Sequence, residues 1–209
     1  MFLARSRLRR AALRLAAHGW PVTPGACLRA NRFDCGRPGC PTTSCHPALE
    51  GWEAAASQDP VRVTSWWRYA PHSLLLPTGL AFDVLEVTAP LAARAVRAPD
   101  WCGPVCGPVA TLPGGRWMLL VRPGQELLPE LAGRLEVVRH GRGSWVPAPP
   151  TRLVNGPVRW RMPPAQVGWR LPDGHAVQRL LVEALPAAAP PDWSAPVPRQ
   201  LEVASRRIG

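Results

Sequence analysis

The sequence predicts an α+β fold, a β-surface flanked by helices, and three strand-like stretches carry the β part. His72 to Val87 (HSLLLPTGLAFDVLEV), Leu112 to Gly124 (LPGGRWMLLVRPG) and Arg134 to Thr151 (RLEVVRHGRGSWVPAPPT) each carry Gly or Pro turn signals, and each sets a polar or acidic residue among β-favouring apolar neighbours. Helical spacing stands at both ends of the chain. Leu8, Ala12 and Leu15 recur at i, i+4 and i+7 ahead of Gly19, and Ala176, Leu180 and Leu181 form the apolar stripe of Gly174 to Ala184.

With 209 residues, 46% of them hydrophobic, the chain is long enough to bury a core and too apolar for a disordered protein. We expect one domain over residues 1–185, including a Cys-rich loop at 25–47, and a disordered Pro/Ala-rich tail over 186–209. No apolar run approaches the roughly 20 residues of a spanning helix, which speaks against a membrane partner. The Arg-rich opening Met1 to Trp20 lacks acids, as transit peptides do, but its helical spacing favours a first core helix with a basic outer face.

The formal charge is +11, and all 25 basic residues are arginine. Guanidinium forks bind phosphates bidentately and stack on bases, so the excess fits DNA, RNA or nucleoside triphosphates as partners. GC-rich coding would enrich Arg, Ala, Gly and Pro together in the same way.

Between Gly25 and Pro47 stand Cys27, Cys35, Cys40, Cys45 and His46. With six cysteines and no export signal, a reducing cytoplasm is expected, where such a cluster suggests structural Zn2+ rather than disulfides. The ligands would be Cys35, Cys40 and Cys45 with either Cys27 or His46. The spacing is not the paired C-x-x-C of a zinc ribbon, and free thiols would give the same sequence.

Further along, Asp59 and Pro60 read as N-cap and first position of a helix whose Val63, Trp66 and Trp67 face the core. Pro77-Thr78-Gly79 reads as a turn between two strands, and Pro90 to Arg97 as a short helix. Arg116 to Arg122 and Val158 to Trp160 are strands, and Cys102 and Cys106 are plain thiols.

The order of these segments resembles the bifunctional DNA primase/polymerase (Prim-Pol) domain of the archaeo-eukaryotic primase superfamily. The likeness is carried by the first helix running into Gly19-Trp20-Pro21-Val22, the Trp66-Trp67 helix ending at Pro71-His72, and Pro77-Thr78-Gly79 before an acidic strand. Gly114-Gly115-Arg116, and Gly141 to Thr151 with its Ala148-Pro149-Pro150-Thr151 end, complete it. The resemblance spans roughly residues 8 to 185. It implies an RRM-like mixed or antiparallel sheet core with an N-terminal α/β unit and flanking helices. It also implies DNA-templated nucleotidyl transfer from nucleoside triphosphates, two Mg2+ or Mn2+ ions, and a helicase or other replication partner.

Under the resemblance the metal-binding, catalytic carboxylates fall on Asp83, Glu86 and Glu136. The family's Asp-x-Asp pair works because alternate residues of a strand share a face, whereas Asp83 and Glu86 are three apart and need a bulge to converge. The family His after Gly-Gly-Arg is Trp117 here, which cannot carry a proton or a charge. Arg116, Arg139 and Arg142, with the backbone of Gly141 and Gly143, are the expected phosphate cradle. The expected activity is therefore weakened or lost, leaving binding of nucleic acid or nucleotides, or a regulatory protein-interaction role.

Overall fold

The computed structural model describes residues 2–103 and 105–186. Apart from its first residue, the expected tail lies outside the described residues. Helix α1 (Phe2–Ala16) buries Leu8, Ala12 and Leu15, as their spacing predicts. Then come β1 (Thr23–Gly25), the hairpin β2 (Cys27–Arg29) and β3 (Arg32–Asp34), the loop with His46, and helices α2 (Trp52–Ala55) and α3 (Pro60–Trp66). The Asp59 carboxylate accepts the amides of Val61 and Arg62 and starts α3. Val63 and Trp67 are fully buried and Trp66 packs on the same core, so the tryptophan pair is structural.

The second half runs β4 (Ser73–Pro77), β5 (Asp83–Thr88), α4 (Ala89–Ala95), β6 (Val109–Leu112), β7 (Arg116–Val121), β8 (Val137–His140) and β9 (Trp145–Pro147). It closes with β10 (Arg152–Leu153), β11 (Gly156–Pro157), β12 (Arg159–Met162) and α5 (Gly174–Glu183). Two sheets organise the domain, one of five strands in the order β12-β6-β7-β5-β8 and one of three in the order β1-β4-β9. Every strand pair among the described residues is antiparallel.

The five-stranded sheet separates two cores, and the two-residue side-chain period assigns each strand position to one of them. On one face Val84, Met118 and Leu120 join α1, α3 and the three-stranded sheet. On the other, Leu85, Val87, Leu119 and Val121 pack with Leu91 of α4 and Val177 and Leu181 of α5. A sheet buried on both faces explains why β5 reads as an apolar run rather than as an alternating pattern.

Pro77-Thr78-Gly79 does not close a hairpin, because β4 and β5 belong to different sheets. It is a crossing point docked on the loop after β8. The Thr78 hydroxyl donates to the Gly141 carbonyl at 2.6 Å, and the Thr78 amide donates to the Ser144 carbonyl at 3.0 Å. Gly79 has φ 91°, and a Cβ there would lie 2.2 Å from Arg142 Cα. Gly79→Ala should therefore cost about 2–4 kcal/mol, from left-handed strain plus overlap. Gly133→Ala, at φ 76° with no atom within 4 Å of its Cβ, should cost only the strain. Urea denaturation of both variants measures the difference, and equal losses would refute the close approach.

Candidate functional site

β5 pairs with β7 in unbroken register from Asp83 opposite Val121 to Thr88 opposite Arg116, and with β8 from Val84 opposite His140 to Val87 opposite Val137. The bulge that would turn Asp83 and Glu86 toward one another does not form. Asp83 shares its face with Leu85 and Val87, and Glu86 shares the other face with Val84. Glu136 is exposed just before β8, where its backbone carbonyl accepts the Thr88 amide at 3.0 Å. The three expected carboxylates are not gathered.

Each of the two strand acids is held by its own partners. Asp83 is 1% exposed, and its Oδ2 accepts the Gly124 amide at 3.0 Å and Arg139 Nη2 at 3.1 Å. Arg139 reaches on to the Glu126 carboxylate at 3.0 Å. On the opposite face, Arg116 Nε donates to Glu86 Oε1 and its Nη2 to the Glu86 carbonyl at 3.1 Å, while His140 Nε2 meets Glu86 Oε2 at 3.0 Å. Ser144 Oγ lies 3.1 Å from His140 Nδ1. Burial pushes the Glu86 carboxyl up, but hydrogen bonds from His140 and Arg116 and their charges outweigh it and leave it below its ordinary value.

These placements revise the phosphate cradle. Arg116 and Arg139 are engaged by Glu86 and Asp83 on opposite faces. Gly141 is buried with its carbonyl taken by Thr78, while Arg142 and Gly143 are exposed on the turn. Trp117 faces the second core, with the Arg161 guanidinium 4.4 Å above its ring. His140 and Gly124 were not singled out from sequence. The signal for His140 was strand alternation, since its neighbour Arg139 must point the other way.

Glu86, His140 and Ser144 line a cavity of about 550 Å³ whose walls include Phe33, Cys45 and Trp145. That volume falls within the range of small-molecule sites.

A second cluster lies in the Cys-rich loop. Cys35, Cys40 and His46 bring their ligand atoms within 4.8 Å of one another, the one such cluster of three or more among the described residues. His46 Nδ1 donates to the Ser44 carbonyl at 2.7 Å, which leaves Nε2 free to coordinate, 3.5 Å from Cys40 Sγ. Hydrogen bonds from Arg37 and then His46 bring the Cys35 thiol down to about 6. The expected ligands Cys45 and Cys27 point elsewhere. Cys45 is desolvated beside Ser73, which pushes its thiol up to about 11, and Cys27 Sγ is 3.5 Å from His72 Nδ1. Of the two alternatives for the fourth ligand, His46 belongs to the cluster.

The family model described as bifunctional DNA primase/polymerase, N-terminal (Prim-Pol), matches residues 12–193. The chain belongs to the Prim-Pol family. No curated protein matches it significantly. Prim-Pol proteins are nucleotidyltransferases of the primase/polymerase class and depend on divalent metal. In this Prim-Pol domain the strand acids do not fit a pair of such ions. A two-metal centre holds its ions about 3.5–4 Å apart on shared carboxylates, and Asp83 and Glu86 look to opposite sides of a sheet. Asp83 Oδ1 and Arg139 Nε are both buried without a partner. An orphan donor on the residue paired with the orphan acceptor, with a guanidinium charge already opposite Asp83, does not suit a cation.

The two ion pairs predict different behaviour. Asp83→Ala leaves the Arg139 guanidinium, 19% exposed, without its buried counter-charge and should cost about 3 kcal/mol or more in urea unfolding. A loss below about 1 kcal/mol would show that the pair is not structural. The folded-state value of Glu86 is depressed, so its contribution to stability is full above the unfolded value of about 4.3 and is lost as pH falls through the lower folded value. Unfolding free energy followed from pH 6 to pH 2.5 should fall more steeply in the wild type than in Glu86→Gln.

Proposed function

We propose that this Prim-Pol domain binds nucleic acid or nucleotides and has lost the metal-dependent nucleotidyl transfer of its family. The observation that carries this reading is the division of Asp83 and Glu86 between the two faces of β5, each neutralised by arginine. Leu85, which lies between them in sequence and shares the Asp83 face, is buried in the second core and offers no ligand. The cavity beside Glu86, His140 and Trp145 is the place where a nucleotide would enter. The net charge of +11 supports a phosphate-bearing ligand.

We further propose zinc as the ion of the Cys35, Cys40 and His46 cluster. Two thiolates and an imidazole are a donor set zinc prefers, and a fourth position taken by water would complete a tetrahedron. Its role is to hold a loop with little core of its own.

Primer-template DNA, deoxynucleotides and Mg2+ or Mn2+ test the catalytic half of this reading. Wild-type protein should incorporate no more label than Glu86→Gln, and template-dependent incorporation that Glu86→Gln abolishes without altering the melting temperature overturns the loss of activity. Fluorescence anisotropy with a 20-nucleotide single strand should show affinity falling as salt rises, and a flat salt response would reject phosphate contacts.

A further inference from the structure

We propose that the hairpin and loop from Arg29 to His46 are this chain's contact for the phosphodiester backbone of a single nucleic-acid strand, with Arg29, Arg32 and Arg37 as the phosphate ligands. This rests on the reading above that the chain binds nucleic acid and that zinc occupies the Cys/His cluster.

The hairpin turns through Ala30 and Asn31, both with positive φ, and its register sets Arg29 directly opposite Arg32. Like charges facing each other across a strand pair repel, so nothing in folding favours this arrangement. Asp34 lies 3.7 Å from Arg29, with both side chains 58% exposed, and Glu50 is near enough to act on the charge of Arg37. The Arg32 side chain is exposed and makes no hydrogen bond or ion pair among the described residues. Arg37 contacts Cys35. These three arginines, with Thr42 and Thr43, line one cavity of about 310 Å³. Guanidinium forks and hydroxyl donors around a pocket holding one carboxylate form a site for an anion that is planar or tetrahedral and oxygen-rich, which describes a phosphate.

Two of the metal ligands, Cys35 and Cys40, stand in the wall of that cavity. Between Asp34 and Thr43 the backbone is held by few bonds: Gly36 to the Asp34 carboxylate at 2.8 Å, Cys40 to the Arg37 carbonyl at 3.3 Å, and Phe33 to the Thr43 carbonyl at 3.1 Å. Gly36 and Gly39, both at positive φ, make the turns. A metal tying positions 35 and 40 to buried His46 would fix Arg37 relative to the hairpin arginines.

The choice of a strand over a free nucleotide comes from what adjoins the patch. Phe33 walls this cavity and also the larger one beside Glu86 and His140. Two cavities, of about 310 and 550 Å³, meeting at one residue suit a chain of nucleotides that bridges them.

The test uses the full chain, with zinc measured by elemental analysis and a fluorescent 20-nucleotide single strand as ligand. We expect about one zinc per chain. Arg32→Gln and Arg37→Gln should each weaken binding by about five- to tenfold and lower the salt slope by about 0.7 per arginine removed, at unchanged melting temperature. Stripping zinc with a chelator should weaken binding by a similar factor, and adding zinc back should restore it. Zinc bound and oligonucleotide bound, but with affinity indifferent to both arginines and to chelation, overturns the inference while sparing the functional reading. No zinc overturns the metal part, and no oligonucleotide binding by any form overturns the reading on which the inference rests. A free triphosphate that competes as well as the oligonucleotide, and is lost equally in both variants, overturns the choice of a strand.

Discussion

The two-residue period of β5 decides what this domain can do. A strand in the middle of a sheet that is covered on both sides sends each successive side chain into a different core, and the register with β7 and β8 is unbroken along its length. Asp83 and Glu86 are an odd number of residues apart, so the sheet itself stands between them. Bringing them together would need a bulge, and a bulge would exchange the faces of either Val84 or Leu85 and tear one core. The apolar neighbours that give β5 its place in the fold thus also fix the separation of its acids.

Once separated, each acid must find a partner, because a carboxylate inside a sheet cannot remain alone. β8 supplies both partners from consecutive residues, Arg139 toward Asp83 and His140 toward Glu86, and β7 adds Arg116 on the Glu86 face. The pattern is self-consistent: acid, basic residue and sheet face alternate together on neighbouring strands. An arginine engaged in this way is less able to bind phosphate, since its fork is already occupied by oxygen acceptors. The strand positions where phosphate ligands were expected have become structural ion pairs.

Much of the fold was legible because its signals are local. The spacing of Leu8, Ala12 and Leu15, the Asp59-Pro60 helix start and the strand at Arg116 need only a few residues to be read, and each element stands where its pattern places it. The pairing of strands was not legible. Ser73–Pro77 and Asp83–Thr88 look like the two arms of a hairpin, yet they join different sheets, since their partners β1, β7, β8 and β9 lie tens of residues away. The same limit applies to the loop. Cys35, Cys40 and His46 were within the expected ligand set, but adjacency in sequence could not show that Cys45 turns toward Ser73 and Cys27 toward His72.

What distinguishes the arginines of this chain from one another is whether folding uses them. Arg116, Arg122 and Arg139 are each within 3.1 Å of a carboxylate and contribute to the sheet or to its connection with α5. Arg29, Arg32 and Arg37 sit on a hairpin and loop whose cavity is lined by one acid, Asp34, and which contributes Phe33 and Cys27 as its buried apolar residues. Charge that stabilises no fold and faces like charge costs free energy in the unliganded protein. A binding partner of opposite sign recovers that cost, since desolvating a repelling cluster against phosphates relieves the repulsion as it forms the contact. The excess positive charge of the sequence is therefore informative only after the structure has removed the arginines that folding consumes, and of those left Arg29, Arg32 and Arg37 lie together beside the Cys/His cluster rather than on the acidic strand.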